Sequence, residues 1–129
     1  MELNIDTKKN LLFVSISGVA TNNDIIAGVE KAGELLPQLK ENFTIIMNLA
    51  EYKYTSAEQG ALFNKIIKSI DDKVKVKMVV RIIGKSKSLI QNLCKMDKLF
   101  NMDNVRYVPT MEDAIKLIDG VKYPQEDCE

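Results

Sequence analysis

Alternating apolar and polar residues near the start of the chain predict a pair of strands. The first strand covers residues 3–7 and the second covers residues 11–17, in which Leu12, Val14 and Ile16 share one face. Only a short polar turn separates the two, and so short a connection favours an antiparallel hairpin.

Apolar runs farther along the chain predict three buried strands, at residues 45–49, 78–83 and 105–108. Apolar residues at helical spacing predict four amphipathic helices between and after these runs. The first helix follows residues 21–24 and is interrupted late by Pro37; the other three begin at Ser56, Ser88 and Thr110.

The predicted element order is β-β-α-β-α-β-α-β-α. Each strand after the hairpin follows a helix, so we expect parallel crossovers. This predicts an α/β fold with a mixed, mostly parallel five-stranded sheet and helices packed on it. The 129 residues fit a single domain at residues 1–120, and residues 121–129 are predicted to form an acidic, flexible tail.

The composition indicates a soluble globular protein. Hydrophobic residues make up 46% and charged residues 28%, a balance that separates the chain from disordered proteins. Acidic and basic residues number 18 each, so the basic excess typical of nucleic-acid binders is missing. Neither a membrane-spanning apolar run nor a secretory signal pattern occurs, which favours the cytoplasm.

The sequence contains no histidine. This absence removes Ser-His and Cys-His nucleophiles, histidine acid–base chemistry and histidine metal sites. Cys94 and Cys128 lie too far apart to suggest a zinc site on their own. We therefore expect no catalytic residue, no metal and no cofactor, and a role in binding rather than catalysis.

Residues 44–60 are the most informative segment, since they predict a buried strand, a polar loop and the first turn of a helix. In α/β proteins, ligands and partners usually bind at the loop after a strand. Ser56 and Gln59 have the spacing of a capping box at the helix start. We predict that the residues that bind a partner or ligand are Asn48, Glu51, Tyr52, Tyr54, Thr55, Ser56, Glu58 and Gly60.

Each of these residues also has a plainer interpretation. Tyr52 and Tyr54 suit an aromatic contact with a partner, or else they pack at the strand end with their hydroxyls in water. Ser56 is a candidate phosphate acceptor because a helix start stabilises negative charge, or else it is a simple N-cap. Thr55 is the second candidate acceptor.

The start of the third helix is a candidate anion-binding site. Lys85, Ser86 and Ser88 precede or begin this helix, and Lys87 lies between the two serines. The alternative interpretation is that the serines cap the helix and the lysines are solvated.

Three local features and the element order are similar to a known family. They are the strand Ile-Ile-Met-Asn-Leu (45–49) before a Tyr-rich turn, the strand Met-Val-Val-Arg-Ile-Ile-Gly (78–84), and the run Met-Asp-Lys-Leu-Phe (96–100) that precedes the last strand and helix. Together they resemble the STAS domain family, the fold of bacterial anti-sigma factor antagonists and of the cytoplasmic tails of sulphate transporters. The resemblance covers roughly residues 3–119.

The resemblance implies a phosphorylation motif that is altered here. In the antagonists, the loop after the third strand reads Asp-Ser-Ser-Gly, and a partner kinase phosphorylates one serine. Alignment from Asn48 without a gap places Ser56 at the aspartate and Ala57 at the acceptor. A shift by one residue places Thr55 at the aspartate and Ser56 at the acceptor.

We therefore expect a non-enzymatic signalling domain that binds a protein partner, such as an anti-sigma-factor-like kinase. The alternative is a domain of the same fold that binds a small molecule, a nucleotide or a lipid, because the many aliphatic residues and six methionines suit an adaptable cavity. A homodimer through the short first strand or the second helix is a further hypothesis.

Overall fold

A computed structural model describes residues 1–120 of the chain, and the predicted tail at residues 121–129 lies outside the described residues. The strands are β1 (Glu2–Asp6), β2 (Leu11–Ser15), β3 (Phe43–Asn48), β4 (Val76–Ile82) and β5 (Val105–Val108). The helices are α1 (Asn22–Leu35), α2 (Ala57–Lys73), α3 (Lys87–Leu99) and α4 (Met111–Ile118).

The five strands form one mixed sheet in the order β1-β2-β3-β4-β5. β1 pairs antiparallel with β2, and every later neighbouring pair is parallel. The predicted fold class and element order are therefore confirmed. β1 lies at an edge of the sheet, where the hypothetical dimer would need it, and the dimer itself stays a prediction.

The helices cover the sheet unequally. Helices α1, α2 and α3 pack on one face, where alternate strand residues such as Leu12, Ile45 and Val79 join the main core. Helix α4 packs on the other face, where Ala114 lies against Ile46 and neighbouring residues in a smaller core. Alternating side-chain direction along each strand therefore separates the two cores.

Some element boundaries differ from the predicted ones. Helix α1 ends at Leu35, and a 3₁₀ turn at Leu36–Gln38 contains Pro37, because proline supplies no amide hydrogen to continue the α-helical ladder. β2 ends at Ser15 instead of residue 17. Beyond it, Gly18 has a φ of +66° and turns the chain towards the loop that follows β3.

The buried face of α3 contains a carboxylate as well as apolar side chains. Leu89 and Leu93 are buried, Met96 is only half-buried, and Asp97 is 5% exposed. A carboxylate in this position needs a partner, because burial of an unpaired charge is very costly.

The partner of Asp97 is Arg81, which is fully buried near the C-terminal end of β4. Its Nη1 donates to both carboxylate oxygens of Asp97, at 2.7 and 2.9 Å, and its Nη2 donates to Oδ1 of Asn64 at 2.8 Å. Nη1 also donates to the Tyr107 hydroxyl, which in turn donates to Asp97. These four side chains connect α2, α3, β4 and β5 beneath the helices.

Candidate functional site

The candidate site lies at the edge of the sheet where the parallel strands end. The loop after β2 and the loop after β3 run side by side there, because Gly18 and Tyr52 form an isolated parallel bridge. The Gly18 amide donates to the Glu51 carbonyl at 2.7 Å, and the Lys53 amide donates to the Gly18 carbonyl at 2.8 Å. The two loops therefore form one connected unit.

The buried side chain of Tyr52 holds the two loops against α2. Its side chain is 7% exposed and packs edge-on against Phe63 of α2, with 5.7 Å between the ring centroids. Its hydroxyl donates to Oε1 of Gln59 at 2.5 Å, and Nε2 of Gln59 donates to the Ala20 carbonyl at 2.5 Å. Buried hydrogen bonds thus connect both loops to the first turn of α2.

Burial also sets the ionisation of Tyr52. Loss of solvent contact is the main cause and proximity to Tyr54 the second, and together they raise the Tyr52 pKa to about 12. Burial raises the pKa of Tyr54 as well. Tyr52 is therefore a neutral hydrogen-bond donor at ordinary pH.

The predicted capping box of Ser56 and Gln59 does not form. Ser56 is the N-cap of α2, but its side chain makes no capping hydrogen bond. The backbone N–H of Gln59 instead donates to the backbone carbonyl of Ser56 at 3.2 Å. The reason is that the Gln59 side chain turns inwards to Tyr52 and Ala20, where a buried amide gains two partners.

Six exposed residues of the two loops and of the first turn of α2 make up what we name the turn surface. Ser56 and Thr55 are exposed, as the phosphate-acceptor hypothesis requires. Val19, between the hydrogen-bonded residues Gly18 and Ala20, is 64% exposed. The turn surface consists of Val19, Glu51, Lys53, Thr55, Ser56 and Glu58.

Four predicted site residues lie apart from the turn surface, namely Tyr52, Tyr54, Gly60 and Asn48. Tyr54 is half-buried and packs against the main core. Gly60 is buried, and a Cβ at this position would lie 2.9 Å from Cγ of Met96 in α3. Gly60 therefore permits the close approach of α2 and α3, and Tyr52 supports the loop from within.

Asn48 lies on the opposite face of the sheet from Tyr52. It pairs with Ser15 of β2, which pairs in turn with Glu2 of β1, so three polar residues form a row across neighbouring strands. All three line a cleft of about 280 Å³ beside Met111 at the start of α4. Oδ1 of Asn48 accepts a hydrogen bond from the Ala50 amide at 3.2 Å and so shapes the beginning of the loop.

The candidate anion site at the start of α3 is exposed. Lys85, Ser86 and Ser88 are all on the surface. Ser86 caps α3, since its Oγ accepts from the Leu89 amide at 3.2 Å, and it lies 3.3 Å from Oγ of Ser88. The capping role is present, and anion binding stays a prediction.

The side chains of the turn surface are chemically mixed. They comprise hydroxyls, carboxylates, one ammonium group and one exposed aliphatic side chain. Within residues 1–120, no group of three or more Asp, Glu or Cys side chains is placed to hold a metal ion. No helix in the same range has the length and apolar character to cross a membrane.

A scan of protein-family models and a search of curated proteins found no match to this chain. The STAS resemblance therefore stays a prediction that rests on the sequence patterns and the element order.

Two features of the site were not predicted from the sequence. No sequence pattern marked Val19 as a site residue, because its position depends on the pairing of two loops that are distant in sequence. Gln59 was assigned to the helix cap, although a glutamine beside a wide apolar helix face is equally suited to bond inwards. A buried polar side chain of this kind requires hydrogen-bond partners. A glutamine next to the apolar face of a helix is therefore the sequence feature that could have indicated this role.

Proposed function

We propose that this chain is a non-enzymatic regulatory domain that binds a protein partner through the turn surface. The single observation that carries the proposal is the fixed presentation of this surface. Tyr52 and Gln59 support it by buried hydrogen bonds, while the side chains above them remain exposed. A surface held rigid before binding loses less conformational entropy when a partner docks.

The arrangement of side chains supports a protein partner over a small ligand. Val19 offers an apolar contact, and the charged and hydroxyl side chains beside it offer hydrogen bonds. Protein interfaces usually combine apolar contacts with hydrogen bonds from polar side chains. The family resemblance implies an anti-sigma-factor-like kinase, and we propose a protein of this class as the partner.

Ser56 supports regulation of the same surface. Ser56 is exposed and its hydroxyl makes no capping hydrogen bond, so modification would break no bond of that kind. A phosphate there would lie at the start of a helix of 17 residues, where backbone amides and the helix dipole favour negative charge. Addition of this charge beside Glu58 would alter what the turn surface attracts.

The test begins with capture of binding proteins from extracts of the host and purification of the partner. The affinity of that partner is then measured for Val19→Asp, Ser56→Asp and Leu99→Asp variants. Val19 and Leu99 are both exposed apolar residues, at 64% and 72%, and Leu99 ends α3 at the opposite edge of the sheet.

We expect Val19→Asp to weaken binding by about tenfold or more and Ser56→Asp to change it measurably. Leu99→Asp should leave the affinity within about twofold of wild type. Equal losses for Val19→Asp and Leu99→Asp, or unchanged affinity for both turn-surface variants, would rule out the turn surface as the binding site.

A further inference from the structure

A wholly apolar cavity lies between the sheet and helices α1 and α2. Its volume is about 50 Å³, and every residue that lines it is apolar. The lining includes Leu12 and Met47 from the sheet, Ile25 and Gly28 from α1, and Phe63 and Ile67 from α2. Water gains no hydrogen bond in such a space, so apolar cavities of this kind stay dry.

The side chain of Met1 occupies the entrance of this cavity. A Cβ on Gly28 would lie 1.4 Å from Cε of Met1 and 3.0 Å from its Sδ, so the thioether fills the place of a side chain at residue 28. Glycine in the middle of a helix is unfavourable, and here it makes room for the methionine. Met1 itself is 40% exposed, which places this entrance at the surface.

Met1 is a displaceable occupant. It precedes β1, and the strand pairing with β2 begins at Glu2, so no ladder hydrogen bond fixes Met1. Its side chain is unbranched and has several rotatable bonds, which lets it move aside at low cost. If the Met1 side chain moved, the space it leaves beside Gly28 would become continuous with the cavity.

We propose that this cavity is a binding site for one unbranched alkyl chain, which enters at Gly28 and takes the place of the Met1 side chain. The shape argument is that the entrance already accommodates an unbranched chain of the protein itself. The chemical argument is that an apolar lining offers a polar ligand nothing in exchange for its lost hydrogen bonds to water. This site is separate from the partner-binding function proposed above.

The probes for the test are 1-butanol, 1-hexanol and 1-octanol, with tert-butanol as the branched isomer of the shortest chain. Binding is followed by NMR of ¹³C-labelled methionine methyl groups. Met1 and Met47 line the cavity, whereas Met78 and Met111 lie on the other side of the sheet and act as internal controls.

We expect saturable shifts of the Met1 and Met47 signals and small shifts of the other two. The dissociation constant should fall by about fourfold for each added methylene until the cavity is full. tert-Butanol should bind more weakly than 1-butanol. Shifts that do not saturate, that spread to Met78 and Met111, or that are equal for the two butanols would overturn the proposal.

A pair of glycine variants in the same helix provides a second test. Gly28→Ala puts a methyl group where Met1 and the entering chain must lie, and should abolish the saturable Met47 shift. Gly33→Ala is the matched control, because a Cβ there has no neighbour within 4 Å. Equal binding by the two variants would refute the assigned entrance, and the chain-length series decides the proposal if Gly28→Ala does not fold.

Discussion

The Tyr52 hydroxyl and Oε1 of Gln59 lie 2.5 Å apart, and this buried hydrogen bond connects the loop after β3 to the first turn of α2. Gln59 extends the connection to the Ala20 carbonyl in the loop after β2. Two loops that are distant in sequence therefore depend on one glutamine. The turn surface owes its position to these buried polar side chains.

Replacement of Gln59 by alanine should destabilise the fold. The change leaves the Tyr52 hydroxyl and the Ala20 carbonyl buried without their partner, and each such group costs about 1–3 kcal/mol. Denaturant unfolding monitored by circular dichroism measures the loss. Gln91→Ala on the exposed face of α3 is the control, expected within about 0.5 kcal/mol of wild type.

Two serine N-caps should respond differently to alanine. Ser86 accepts a hydrogen bond from the Leu89 amide, so Ser86→Ala should lower the free energy of unfolding by about 1 kcal/mol. Ser56 makes no such bond, and Ser56→Ala should cost only a few tenths of that amount. Equal losses in thermal or denaturant unfolding would mean that the Ser56 hydroxyl caps α2 in solution.

Removal of one member of the buried ion pair should be severe. Arg81→Met leaves the Asp97 carboxylate buried without its cation, with an expected loss of about 3–5 kcal/mol. Arg81→Met combined with Asp97→Leu should lose less than Arg81→Met alone, because no isolated charge remains. Lys116→Met, which breaks an exposed pair with Glu112, is the control and should cost less than about 0.5 kcal/mol.

Alkaline pH should weaken the fold through Tyr52. Its folded pKa of about 12 exceeds the ordinary value of 10.0, so its contribution is complete below pH 10 and disappears as pH rises towards 12. At about 1.4 kcal/mol per pKa unit, the contribution that disappears by about pH 11.5 is about 2 kcal/mol. Urea unfolding at about pH 9 and about pH 11.5 measures this loss, which should be absent from Tyr52→Phe.

Two helical glycines should respond in opposite directions to alanine. At Gly60 the new methyl group would lie 2.9 Å from Cγ of Met96, so α2 and α3 must adjust, and we expect a loss of about 1 kcal/mol. At Gly33 the methyl group would meet open space, and higher helix propensity should add about 0.5 kcal/mol. Melting temperatures that rise for both variants would show that Met96 yields without cost.

Much of the fold follows from local patterns. β5 was predicted with its observed bounds, and the hairpin of β1 and β2 followed from the short polar turn between them. The start of the last helix at Thr110 was predicted, and its side chain does accept from the Asp113 amide. The first helix was predicted to follow residues 21–24, and its N-cap is the first of these, Thr21, which accepts from the Asp24 amide. Such features depend on neighbours within a few residues, so the sequence carries them directly.

The candidate site was only partly predictable for the opposite reason. The sequence places Thr55 and Ser56 in an exposed loop after a buried strand, as observed, but it also placed Asn48 beside Tyr52. In the sheet, alternation along β3 directs Asn48 to the face that carries α4, while Tyr52 turns under the loop towards α2. Proximity in sequence did not mean a shared surface.

What the sequence determined by itself was the order, the approximate limits and the apolar faces of the elements, because those depend on periodicity and on short-range hydrogen bonds. Only the tertiary structure decided the partners of the buried polar groups. Arg81 pairs with Asp97, and the Gln59 side chain hydrogen-bonds to Tyr52 and Ala20 instead of capping the start of α2. Burial forces each such group to find a hydrogen-bond partner, and chain packing determines which partners are within reach.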